Sequence, residues 1–413
     1  MPIKPSILKN MENILGESKI ENFIENSKDN LYIEDVSGRI IIQGTYTNYN
    51  IGEFINGIPI SIKGKLDNKG NFLFDDYLFY KSDRYIFTEK DSEEEINKKS
   101  KENKLNEVKK EIDIKNIKIK DKILDNTNSN NILYNKNLIL FISNLNYENI
   151  PNDNNGLKQS TLTLLIDFIQ NQNNISNILY QFSHRICRII LVGNSLNTFE
   201  KEIENKLSLN ISSLSIEDKI LENYTLFNNF LNLISNYIYL DVMPSLDSND
   251  DLKFPQNPLN KLLFMDNFSN LNNSSLNLVN NPYFFELFIP SINKKKYFIG
   301  TSGENINIIK QYSCLENNID IMKKNIEWRH LCPINPSYST LYSIDNKTDP
   351  LIIDILPDVY FTSGNKEFQY EKTKIDDKEI VLLSLPDFNK TSKCILYNFV
   401  DDSVKEIDFS FYF

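Results

Sequence analysis

The stretch RIILVGNSL, Arg188 through Leu196, decides the fold. An unbroken run of branched apolar residues has no polar face to turn toward water. It therefore reads as a strand buried on both sides, and the Gly-Asn-Ser after it reads as a polar turn at the strand's end. Working outward, the same theme recurs at 138–142, 239–243, 297–300, 359–361, 380–385 and 394–399. Between 192 and 239 lies the clearest helix of the chain. Ser215 is placed as its N-cap with Asp218 three residues on, and Ile220, Tyr224, Phe227, Leu231, Ile234 and Ile238 form a stripe at helical spacing that belongs against a sheet. Strands alternating with helices, then a strand-rich C-terminus, predict an α/β layered domain with its loops gathered beyond the strand ends.

Upstream the pattern changes. The runs LYIED (31–35), RIIIQGTY (39–46), IPISIKGKL (58–66) and NFLFDDYLFY (71–80) are short, β-rich and separated by turn residues, with a hairpin signal at Asp67-Asn68-Lys69-Gly70. They predict a small barrel of OB type. Residues 81–136 are rich in Lys, Glu and Asn and read as a solvated insertion or linker. The expected organisation is thus 1–80 barrel, 81–136 charged insertion and 137–413 α/β domain, since 413 residues exceed what one core serves.

The three parts carry net charges of −3, +2 and −10, together the chain's −11, so an autonomous polyanion-binding role is disfavoured. The run Lys294-Lys295-Lys296 reads as solvated surface. Four cysteines stand apart and never as CxxC, which removes zinc-ribbon and thioredoxin readings and leaves reduced core thiols. No apolar run approaches the length of a bilayer span, and the first ten residues lack a signal-peptide core. Only two histidines occur, His184 and His330, so any mechanism needing a histidine cluster is excluded. His184 is expected at the surface, His330 as a buried hydrogen-bonding residue. Trp328 is expected in the core, with a partner anchor formed with Arg329 as the alternative.

The loops after the strands read Ser143-Asn144-Leu145-Asn146, Gly193-Asn194-Ser195-Leu196, Pro244-Ser245-Leu246-Asp247, Gly300-Thr301-Ser302-Gly303 and Ser363-Gly364-Asn365-Lys366. They are small and polar, with one acid and no histidine. Nine segments then occur in order: KPSIL (4–8), LYIEDVSGRI (31–40), GNSL (193–196), DVMPSLD (241–247), PQNPL (255–259), NPY (281–283), GTSGEN (300–305), RHLCPINP (329–336) and LPDF (385–388). This series resembles the small, non-catalytic B subunits of the replicative DNA polymerases, and within them the delta branch rather than alpha or epsilon.

The resemblance implies an OB fold joined to a calcineurin-like phosphoesterase α/β sandwich whose metal site has been lost. Active phosphoesterases of that superfamily carry D-x-H, G-D, G-N-H-[DE] and G-H-x-H at successive strand ends. Here Asn144, Asn194, Asp247 and the pair Gly364-Asn365 stand at those places, and Asn194 and Asp247 are expected to survive as loop-pinning residues. No catalytic residue, metal or cofactor is implied. The implied role is a scaffold in the nucleus that joins the C-terminal Cys-rich region of the polymerase delta catalytic subunit to a third accessory subunit. Sliding clamp and DNA would be reached only through the complex, with no membrane contact.

The chain departs from the family in its long charged insertion and in starting just before KPSIL, so the barrel is expected to lack its first strand and to leave one edge unpaired. Two readings of other classes stay open. One is an active metallophosphoesterase; the other is a barrel that holds single-stranded nucleic acid through Tyr46, Tyr49, Phe72 and Phe74.

Overall fold

The structure is a computed structural model that describes residues 31–43, 51–68, 70, 72–79, 136–147, 157–170, 177–196, 213–245, 254–264, 275–335 and 349–410. The KPSIL segment, residues 81–135, Tyr46, Tyr49 and Asp247 lie outside the described residues.

The N-terminal part holds the four predicted strands: β1 (Leu31–Asp35), β2 (Gly38–Gln43), β3 (Ile60–Leu66) and β4 (Phe72–Phe79), in the order β1-β2-β4-β3. The hairpin between β3 and β4 closes through the Gly70 N–H on the Asp67 carbonyl at 3.1 Å, as the Asp-Asn-Lys-Gly turn predicts. β2 and β4 pair in parallel, which takes this sheet beyond a simple meander. Among the described residues β1 and β3 are its two edges and do not pair with each other.

The rest of the chain runs β5 (Leu138–Ser143), α1 (Leu157–Ile169), α2 (Asn177–Ser183), β6 (Ile186–Val192), α3 (Ser213–Ser235), β7 (Tyr239–Val242), β8 (Leu276–Leu278), β9 (Tyr283–Ile289), β10 (Lys294–Thr301), α4 (Glu304–Tyr312), α5 (Asn318–Glu327), β11 (Val359–Asn365), β12 (Gln369–Ile375), β13 (Lys378–Pro386), α6 (Phe388–Thr391), β14 (Lys393–Asn398) and β15 (Val404–Asp408). All seven strands expected here are present, and α3 begins two residues before the Ser215 cap that its sequence suggests. Two mixed sheets result, ordered β15-β14-β5-β6-β7-β8 and β12-β13-β11-β10-β9.

The sheets pack face to face. Ile139, Phe141, Ile190 and Val192 of one meet Phe285, Phe298, Phe361 and Leu383 of the other in a shared core. Leu140, Leu191 and Leu240 face outward from the first sheet onto α1 and α3 through Phe168, Phe227, Phe230 and Ile234. Tyr360, Ile380 and Leu382 face outward from the second onto α4 and α5 through Ile309, Met322 and Ile326. The layers are therefore helix, sheet, sheet, helix, and strands with both faces covered must be apolar throughout. Each fully buried Phe or Leu there contributes on the order of 1.5–3 kcal/mol.

The N-terminal sheet docks on the helical side of the second sheet. Ile55 joins the core that α4 and α5 cover, with Ile58 and Phe79 packed on it. The Cys314 N–H reaches the Gly52 carbonyl at 2.7 Å, and Lys324 pairs with Glu53 at 3.3 Å. Gly57, at φ 89°, lies so close that a Cβ on it would stand 2.0 Å from the Pro333 carbonyl oxygen.

The lysine run lies in β10, where Lys294 and Lys295 are on the solvated surface as expected, Lys295 also pairing with Glu286. Lys296 departs from that expectation: it is 12% exposed and pairs with Asp402. Burial in the hairpin between the sheets turns that residue into a structural cation. Cys187, Cys332 and Cys394 are free thiols in or near the cores. Burial pushes Cys187 up to about 11 and Cys332 up to about 12, so neither is a thiolate at neutral pH.

Candidate functional site

The ends of β5, β6, β7, β10, β11 and β13 converge, and their loops bond to each other. Asn144 holds the centre in a left-handed conformation (φ 46°), which Asn tolerates better than most residues. It accepts the Asn194 backbone N–H on Oδ1 at 2.8 Å and donates through Nδ2 to Asp387 Oδ1 at 2.6 Å. The other Asp387 oxygen receives Lys390 Nζ at 2.9 Å. The Ser363 hydroxyl donates to the Ser302 carbonyl at 2.8 Å.

A second set adjoins it. Glu304 accepts from the Ser245 hydroxyl at 3.0 Å and from the Ser302 hydroxyl at 2.5 Å. Asn281, fully buried, donates to Gln256 Oε1 at 2.7 Å and accepts the Ser302 N–H at 3.3 Å.

Asn144 and Asn194 thus come together, but the pin is the Asn144 side chain. Asn194 contributes its backbone N–H, and its own Oδ1 is buried without a partner. Gly364 and Asn365, expected on a loop, belong to β11, which continues past Phe361 because a bulge between Thr362 and Asn365 resets its register with β13. Asn365 Nδ2 donates to Ser384 Oγ at 3.1 Å, and its backbone carbonyl accepts the Asp387 N–H at 3.1 Å. Ser302 lies in one of the expected strand-end loops, whereas Asp387 and Glu304 were in none of them, although both lie in the segments LPDF and GTSGEN.

A binuclear metal centre needs several charged or imidazole ligands around two cations about 4 Å apart. The side chains at these strand ends are amides and hydroxyls with two acids, Asp387, already held by Asn144 and Lys390, and Glu304, already held by Ser245 and Ser302. Space is short too: a Cβ at Gly193 would meet Asn144 Oδ1 at 2.2 Å and Ser363 Oγ at 2.6 Å. Among the described residues no three His, Cys, Asp or Glu side chains are grouped to hold a metal ion. The described residues do not fit such a centre.

Deeper between the sheets, Arg188 grips Asp241 through Nε at 2.5 Å and Nη2 at 2.9 Å, with Tyr283 and Asn277 also donating to the carboxylate at 3.1 and 3.0 Å. Burial opposes the Arg188 charge, yet the Asp241 carboxylate outweighs it and holds the guanidinium above its ordinary range. Burial, then the Asp241 charge, pushes the Tyr283 phenol up. The group ties β6, β7 and β9 together and exposes no reactive atom.

His330, 8% exposed, accepts the Cys332 N–H on Nδ1 at 3.0 Å and meets Asp349 through Nε2 at 3.0 Å, while Trp328 is fully buried. His184 is exposed against the Tyr180 carbonyl. These are structural placements.

The family model for the B subunits of DNA polymerases alpha and epsilon matches residues 139–372, and that for the OB-fold domain of the DNA polymerase delta subunit matches residues 1–77. The chain belongs to this family of DNA polymerase B subunits. Its relatives include the DNA polymerase delta small subunits of Oryza sativa subsp. japonica (24% identical, 99% of this chain, 81% of the relative) and Arabidopsis thaliana (24%, 99% and 80%). The DNA polymerase delta small subunit of Saccharomyces cerevisiae is 27% identical over 62% of this chain and 53% of its own. Among solved structures, an archaeal phosphodiesterase overlays 66% of this chain and 99% of its own at 10% identity and a TM-score of 0.31.

Proposed function

We infer that this chain is the accessory small subunit of a DNA polymerase delta and works as a non-catalytic scaffold. The observation that carries the reading is the end-to-end match with delta small subunits, which spans 99% of the chain. In this reading residues 1–80 are an OB barrel, 81–136 an insertion and 137–413 a calcineurin-like sandwich with a degenerate site. The Asn144–Asp387 pin replaces the first metal ligands, and Asn194, Asp247, Gly364 and Asn365 are remnants of the others. The chain joins the Cys-rich C-terminal region of the catalytic subunit to a third subunit, in the nucleus, and meets clamp and DNA only through them. Closed strand-end loops and a net charge of −11 support a role away from both hydrolysis and the template.

Copurification from cells with mass spectrometry of the bound chains tests this. The expected result is a stoichiometric polymerase catalytic subunit, with no hydrolysis of aryl phosphates or nucleotides above background in Mn. A chain isolated without polymerase subunits, whose Mn-dependent phosphoesterase activity disappears in Asp387→Asn, would overturn it.

A further inference from the structure

The two sandwich sheets have four edge strands, and three are guarded. β12 turns Lys372 and Lys374 outward, β15 carries Lys405, Glu406 and Asp408, and β8 is only three residues long. Charge and brevity are the usual means of keeping an edge from pairing with a foreign strand. β9 is less guarded, with Glu286 as its single charge. It runs seven residues, pairs on one side with β10, and has no strand on its other side among the described residues. Every second N–H and C=O along that side therefore points away from the sheet. Phe284 and Phe288 lie on its outer face at 37% and 49% exposure, with Ile292 beyond the strand at 38%.

We propose that the free edge of β9 is a docking site for an extended segment of another polymerase subunit, which adds a strand to the five-stranded sheet. This deepens the scaffold reading and rests on it. The chemistry of the occupant follows from the outer row Phe284, Glu286, Phe288, since alternate residues share a face. Apolar side chains two residues either side of a basic one would cover both rings and set a cation beside the Glu286 carboxylate. Lys295, at 2.7 Å, and the Tyr297 hydroxyl already reach that carboxylate from β10, so a cation on the new strand would share it with them as a third donor. A second copy of this chain fits poorly: antiparallel self-pairing centred on β9 puts Glu286 opposite its counterpart, and like charges directly opposite are destabilising. Each copy also carries a net charge of −11. Backbone pairing supplies affinity in this mode, and the alternate side chains supply selectivity.

The test is amide hydrogen exchange of the full chain, alone and in an assembly reconstituted with the catalytic and third subunits, for the natural sequence and for Phe284→Lys/Phe288→Ser. Every second amide of 283–289 is expected to slow by about tenfold or more on assembly. The double variant should keep its melting temperature and lose both that protection and one of the two partner chains. An assembly that forms with 283–289 unchanged, or one the variant leaves whole, overturns the docking site and spares the scaffold role. Failure of the natural chain to assemble at all overturns both. Protection in the chain alone that rises with concentration, together with a dimer by light scattering, would show a second copy on the edge and overturn the heterologous partner.

Discussion

The N-terminal sheet and the sandwich are built from similar strands but hold themselves together differently. In the sandwich β13 buries seven consecutive residues, and β5 buries all six. In the described part of 31–79 the buried apolar side chains are Ile42 and Ile55, and the strands alternate half-buried with exposed residues. Ile55 is not even in the sheet; it sits in the segment that reaches across to α4 and α5. A four-stranded sheet with so little interior of its own takes its stability from the body it leans on.

The largest loss of stability is expected in the sandwich. Asp241→Ala leaves Arg188 buried beside Tyr283 with its counter-charge removed, and a buried ion left alone costs about 3–5 kcal/mol. Melting followed by circular dichroism should fall by many degrees, and Arg188→Met/Asp241→Leu should recover much of the loss. A small drop for the single variant would mean that the network is not what ties β6 to β9.

Gly57→Ala sharpens the contrast from the other side. The new methyl meets the Pro333 carbonyl at a φ that side chains avoid, a cost of about 1–3 kcal/mol. The effect should be local: proteolysis within 31–79 accelerates while the sandwich melts as before. Equal loss of both units would show that they fold as one. The smallest effect is expected at the strand ends, where Asn144→Ala removes the link between β5, β6 and the Asp387 loop for about 1–2 kcal/mol. Exchange of the 193–196 and 387–391 amides should quicken while copurifying chains stay the same.

The same contrast explains what could be read from the sequence. Strands 138–142, 188–192 and 380–385 were legible because burial on both faces demands unbroken apolar runs. β12 (QYEKTKI) and β15 (VKEID) were not, because an edge strand carries charge at alternate positions and so resembles a loop. β8 is too short to leave a pattern, and β9 hid behind Asn281-Pro282 despite its aromatics. At the site, the small polar residues of the strand ends were visible. The partner of Asn144 was not: Asp387 lies 243 residues away, and only the order β14-β5-β6 in one sheet beside β11-β13 in the other brings it close. Local spacing carries no trace of such a pair.

The seam at Gly52, Glu53 and Gly57 has a further consequence. Two bodies joined by a loose tether would have to be oriented by whatever grips them both, and the lost rotational freedom would be subtracted from the grip. A backbone hydrogen bond, an ion pair and a glycine seated against Pro333 have already settled the angle between the N-terminal sheet and the sandwich. A partner that spans both meets them as one preset jig, and the ordering cost has been met in folding rather than in assembly.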